Sequence, residues 1–185
     1  MARLVTDYDL ALDWRGFELH PETPRGGMPL SRLLPADRLP GMHAQLQRFA
    51  EGFGVSGMRP SMHLPNTRRA LAVAERAREE GRLDAFRHAA MTAHWEEGRD
   101  LEDLEVLAAL AVQVGMDAET ARVAADDPVL QARIDAVRAE SQRLGVPGIP
   151  TFVFGPPGQG ARAVVGCQTF ETLARVAEQA GARRR

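Results

Sequence analysis

The sequence predicts an α/β protein in which strand-forming ends enclose a long helical middle, and three observations lead there. Apolar residues near the start alternate, at Leu10, Leu12, Trp14, then Phe17 and Leu19, which is the period of a half-buried strand. From Met42 to Leu144 they recur instead at helical spacing, in several separately capped segments. The final third returns to short apolar runs at 151–154 and 161–165, followed by one more helical stripe. Two β-containing ends around an all-helical middle imply one core with an inserted subdomain. We therefore expect a single domain over 1–185, with 1–25 and 145–181 forming the core and 42–144 a helical insertion.

Each element has its local reason. The first strand slips near Gly16, where a bulge fits, and Pro21 and Pro24 end it. Residues 20–41 are rich in Pro and Gly and read as an irregular connection punctuated by Pro40 and Gly41. A helix over 42–52 places Met42, Leu46 and Phe49 on one face. Asn66 suits the cap of a helix running to about Glu80. Further helices are expected over 83–97, with Phe86, Ala90 and Met91 among its apolar positions, over 103–114 and over 117–125. Asp127 and Pro128 carry the cap and first-turn chemistry of a longer helix reaching Leu144. The pair 151–154 and 161–165 reads as a hairpin around the turn 155–160, and a helix over 169–180 closes the chain.

Composition narrows the function classes. A chain of 185 residues fits one domain. The formal charge of −2 gives no field that would favour nucleic acid. Arg183, Arg184 and Arg185 read as a frayed, solvated end. There is no apolar leader segment and no run approaching the about 18 apolar residues of a membrane span, so we expect a cytoplasmic protein with no membrane partner. Cys167 is the single cysteine, which rules out an intrachain disulfide and reads most simply as a buried or half-buried thiol. His88 and His94 fall on different helix faces, and His20, His43 and His63 are scattered, so no metal site is expected. The glycine-rich stretch 155–160 lacks the Lys and following helix of a phosphate loop, and no cofactor is expected. Trp14 and Trp95 read as core aromatics.

The string Leu144-Gly145-Val146-Pro147-Gly148-Ile149-Pro150-Thr151-Phe152-Val153-Phe154 resembles the Gly-Val-x-Gly-Val-Pro-Thr-Phe loop of the DsbA-like thioredoxin-fold proteins. It is most similar to the branch called FrnE-like, related to the 2-hydroxychromene-2-carboxylate isomerases. Further passages agree in order: Trp14 through Pro21 looks like that branch's second strand and turn, Asn66-Thr67 like its Asn-Thr helix start, Gly98-Arg99-Asp100-Leu101 like its Glu-Gly-x-Asp segment, and Val165-Gly166-Cys167-Gln168 like its Gly-Ala-Gln turn. The resemblance spans residues 10–180 and implies a thioredoxin-like core carrying the helical insertion.

The resemblance also implies site residues. Pro150 is expected to follow a cis peptide bond, with the backbone of Ile149, beside Gly148, pairing with an extended thiol substrate. Asn66 is expected near the thiol-binding cleft in addition to capping its helix. Thiol or disulfide peptides, or glutathione, are the implied partners, and a homodimer is an open alternative. The family's first strand and its Cys-x-x-Cys, or Ser variant, have no counterpart here, since the similarity begins almost at Met1. Truncation is the expected reason, with a degenerate, non-catalytic member as the alternative. Either way no residue takes a catalytic role by resemblance, and Cys167 is the one candidate for redox chemistry. The expected function is that of a thiol-disulfide oxidoreductase homologue without dithiol activity. The alternatives are a peptide-binding or self-associating module and a relative of the glutathione-dependent isomerases.

Overall fold

The structure, a computed structural model, describes residues 1–155 and 160–185. The expected turn at 155–160 therefore lies largely outside the described residues. The chain divides into two compact units, Met1–Leu19 with Val137–Arg185, and His20–Ala136.

The second unit is built from helices. It opens with β1 (Met28–Pro29), two short 3-10 turns (Leu30–Arg32 and Ala36–Arg38) and α2 (Leu39–Glu51), α1 (Ala2–Asp7) being the helix at the chain start. After β2 (His63–Leu64) come α3 (Arg68–Glu79), α4 (Leu83–Trp95), α5 (Leu104–Gln113), α6 (Ala118–Ala125) and α7 (Pro128–Arg143), the last running on past Ala136. The buried faces of α3 and α6 are alanine-rich, with Ala70, Ala72 and Ala77 on α3 and Ala121, Ala124 and Ala125 on α6. Small side chains let helix backbones approach closely, and α3 packs against α4, α5 and α6. Phe86, Leu107, Leu110, Leu130 and Ile134 fill the remaining volume.

The helices begin where side-chain chemistry permits. Asp103 accepts from the Glu105 N–H at 2.8 Å, Asp117 from Thr120 N–H at 2.8 Å and Asp127 from Val129 N–H at 2.8 Å. Each satisfies a donor that the first helical turn leaves without a partner. Asn66 does the same for α3, accepting from Arg68 N–H at 2.9 Å, although Thr67 occupies the cap position itself.

Two expectations for this unit are corrected. Residues 42–144 are not wholly helical, because His63 and Leu64 pair antiparallel with Pro29 and Met28. A two-residue ladder is too short to leave a period in the sequence, and it is fixed by contact with a distant segment. Gly27 adjoins it with a positive φ of 68°, where an added Cβ would meet the His63 ring and lie 2.6 Å from the Leu64 carbonyl oxygen. Pro40 and Gly41 do not interrupt the chain but lie in the first turns of α2, since a proline there lacks only an N–H that the helix would not use. On α2 and α4, Phe49 and Met91 are exposed.

The first unit holds α1 (Ala2–Asp7), β3 (Thr151–Phe154), β4 (Arg162–Val165) and α8 (Phe170–Gln179). β3 and β4 form the expected antiparallel hairpin, with Phe152 opposite Val164 and Phe154 opposite Arg162. Leu4, Tyr8, Phe154, Leu173, Ala174 and Ala177 make its small core. Thr169 caps α8 by accepting from Thr172 N–H at 3.3 Å. Among the described residues no helix is long and apolar enough to cross a membrane.

The expected first strand is not formed, and residues 9–19 join no ladder among the described residues. Alternation says which side chains share a face, but a strand also needs a neighbour to bond, and among the described residues β3 pairs only with β4. The terminal arginines are not frayed either. Tyr8 and Arg184 form an antiparallel bridge, flanked by Asp9 N–H to Arg183 O at 2.8 Å and Arg185 N–H to Asp7 O at 3.0 Å.

Candidate functional site

Four of the five residues singled out from sequence lie together in the first unit. Gly148, Ile149 and Pro150 form the loop entering β3, and Cys167 sits in the turn that leaves β4. The Ile149–Pro150 peptide bond is cis. Thr151 locks the loop from below, its hydroxyl donating to the Gly148 carbonyl at 2.6 Å. The Pro150 carbonyl in turn accepts from Gly166 N–H at 2.8 Å, so the residue before Cys167 is fastened to the proline loop. Gln168 closes the same turn, donating to the Val165 carbonyl at 2.7 Å.

This arrangement puts an exposed thiol beside an exposed apolar loop. Ile149 keeps 49 % of its surface accessible, and Val153 and Val165 are exposed next to it on the hairpin. Cys167 is free and exposed, which corrects the expectation of a buried or half-buried thiol. The reason is geometric: the turn from β4 into α8 carries it outward, while Leu173, Ala174 and Ala177 supply the buried face of α8. A thiol placed so can meet a substrate sulfur, but one cysteine cannot form and resolve an internal disulfide.

Asn66 lies in the helical unit, where its side chain bridges two segments. Its amide donates to the Thr23 carbonyl at 2.7 Å while its carbonyl oxygen caps α3. It lines a cleft of about 440 Å³ with Arg25, Arg68, Arg69, Glu102, Asp126 and residues of α7. Asp126 holds two guanidiniums there, Arg69 at 2.8 Å and Arg25 at 2.7 Å. The hydrogen-bonded Arg69 keeps its carboxyl below the usual carboxylate range, against the opposing effect of burial. Arg68 bonds Asp135 at 2.8 Å. Glu102, only 8 % accessible, accepts from Gly26 N–H with both oxygens, at 3.0 and 2.9 Å.

Sequence reasoning found Asn66 but missed this cleft. Its members come from four separate stretches of chain, and the local signals, such as Arg68-Arg69 and Asp126-Asp127-Pro128, read individually as surface charge and helix cap. Among the described residues no group of three or more His, Cys, Asp or Glu is placed to hold a metal.

Comparison with known proteins agrees with the fold. Residues 1–177 match the family described as DSBA-like thioredoxin domain. The chain is similar to the crystal structure of a probable DsbA oxidoreductase from Streptomyces coelicolor, at 28 % identity and a TM-score of 0.73, covering 90 % of this chain and 73 % of that one. It is similar in fold to a candidate protein disulfide isomerase from Nitrosomonas europaea, with 17 % identity, a TM-score of 0.65 and coverage of 79 % and 74 %. It also shares the fold of the cytosolic disulfide reductase DsbM from Pseudomonas aeruginosa, solved with GSH, at 23 % identity, a TM-score of 0.52 and coverage of 84 % and 78 %. Among curated proteins no sequence matches it.

Proposed function

The chain belongs to the DSBA-like thioredoxin domain family, and we propose from that membership that it engages a thiol or disulfide substrate at Gly148, Ile149 and Pro150, with Cys167 as the reacting sulfur. The supporting observation is the bond from Gly166 N–H to the Pro150 carbonyl, which fastens the exposed cysteine's turn to the exposed Ile149 loop. The reaction open to a single thiol is one exchange. The Cys167 thiolate attacks one sulfur of a disulfide such as glutathione disulfide, a new S–S bond forms, the old one breaks, and glutathione leaves as thiolate and takes up a proton. Internal resolution of that mixed disulfide would need a second cysteine, and the chain has one. Steady dithiol turnover is therefore not expected of this chain.

The motifs around Asn66, Gly98 and Gly148 support placing it in the FrnE-like branch, acting in the cytoplasm. Exposed Ile149, Val153 and Val165 also favour a second reading, a peptide-binding or self-associating module without chemistry. Incubation with glutathione disulfide separates the two. The expected result is one glutathionyl adduct at Cys167 by mass spectrometry, absent in Cys167→Ser, and slowed by Ile149→Ser while iodoacetamide labelling keeps its rate. If Ile149→Ser leaves glutathionylation unchanged, the loop does not bind the substrate. If no adduct forms, the binding-module reading stands, and a mass above monomer in sedimentation then assigns the apolar surface to a second copy. Insulin reduction driven by dithiothreitol should match the protein-free blank.

A further inference from the structure

We propose that the cleft at the start of α3 is a binding site for a small zwitterion of the amino-acid type, carrying one ammonium and one carboxylate. The cleft belongs wholly to the helical unit, so the proposal stands apart from the thiol reading. Its size, about 440 Å³, falls within the range of small-molecule sites.

The charges on its walls select the ligand. Three guanidiniums, Arg25, Arg68 and Arg69, face three carboxylates, Glu102, Asp126 and Asp135. An anion alone would meet the three carboxylates, and a cation alone the three guanidiniums. A molecule bearing both charges is matched by both sets.

Two members have bonding capacity left over. A carboxylate can accept at about four lone-pair positions, whereas among the described residues Glu102 is served by the Gly26 N–H, shared between its oxygens. It is a buried charge with room for further donors, which suits an ammonium with three. Arg25 has five donors and, among the described residues, spends one of them, on Asp126. Its side chain is 72 % accessible, so the free part of the fork is available to a carboxylate at the rim. Arg69 is held by both Asp126 oxygens and braces the wall. Arg68 is tied to Asp135 and the Gln131 carbonyl and does the same.

The test uses L-alanyl-L-alanine, which has both charges and no sulfur, titrated into the full chain and followed by amide chemical shifts. Saturable shifts are expected at Gly26 and Glu102. Propionyl-L-alanine, which lacks the ammonium, and L-alanyl-L-alaninamide, which lacks the carboxylate, should each bind about tenfold more weakly, the scale of one charge-assisted hydrogen bond. Arg25→Ala on the exposed rim should weaken the dipeptide by a similar factor with an unchanged melting temperature. Glu102→Gln should do so too, and Glu102→Asp should restore part of the loss if that variant keeps the wild-type spectrum. Equal binding of the dipeptide and its amide, indifference to Arg25→Ala, or no saturable shift would each overturn the proposal.

Discussion

Tyr8 shows how much one hydroxyl can organise at the chain ends. The side chain is fully buried, its hydroxyl donates to Glu178 Oε1, and it accepts from Arg184 Nε at 3.1 Å. That phenol therefore joins α1, α8 and the terminal arginine segment. Tyr8→Phe keeps the ring in its core and removes only these bonds, so a loss of about 1 kcal/mol in denaturant-measured stability is expected. Arg184→Ala in the Tyr8→Phe background should add little, because the two act through one another. Fully additive losses would show the contact to be idle. His94 makes a second prediction at this scale. Burial lowers its pKa from the ordinary value, against a bond to Arg99 backbone and the charge of Asp100. A histidine whose folded pKa is depressed favours folding above its unfolded pKa of about 6.5, and that contribution is lost as pH falls through this region. Acidification from neutrality to about pH 5 should thus destabilise the wild type more than His94→Phe, measured by urea midpoints on both. Parallel declines would assign the acid sensitivity elsewhere.

At the level of elements, the caps carry predictions of their own. Asp103→Ala and Asp117→Ala each remove an acceptor at 2.8 Å from a helix start, and each should cost about 1 kcal/mol in urea unfolding. Asp→Asn at the same positions should recover most of it, since the oxygen that accepts the N–H remains. These caps also mark what the sequence made legible. Asp103, Asp117, Asp127 and Thr169 signal helix starts through bonds reaching two or three residues along the chain, and α5, α6, α7 and α8 begin next to them. The hairpin of β3 and β4 was legible for the same reason, two apolar runs separated by turn residues. Elements defined by distant partners were not. β1 and β2 exist because Met28 meets Leu64, and the terminal bridge because Tyr8 meets Arg184. The alternation over residues 10–19 misled, since it records a preference for two faces and says nothing of whether a neighbouring strand is there to bond. At the site, Ile149, Pro150 and Asn66 were found through motif, while Arg25, Glu102 and Asp126 belong to no motif and converge only on folding.

Across the whole molecule the two units differ in how much apolar surface they bury internally. In the unit His20–Ala136 a continuous core runs from Ala70 to Ile134 and draws on α3 through α7. In the other, six buried residues around Tyr8 and Leu173 serve α1, α8 and one hairpin, while Ile149, Val153 and Val165 stay exposed. Local opening costs more where more burial is undone, so protection from hydrogen exchange should be uneven. Amides of α3, α5 and α6 are expected to exchange slowest, through global unfolding, and those of β3, β4 and α1 faster, through a partial opening. A substitution in each unit tests the assignment. Leu107→Ala removes a fully buried side chain from the larger core and should cost about 2–5 kcal/mol, lowering protection of α3, α5 and α6 together. Leu173→Ala should accelerate exchange in β3, β4 and α8 while leaving α3 and α6 near their wild-type rates at low denaturant. If Leu173→Ala instead lowers protection equally in every helix, the chain opens as one cooperative body. The proline loop and Cys167 would then be as hard to open as the helical core, and their reactivity would rest on the exposure they already have in the folded state.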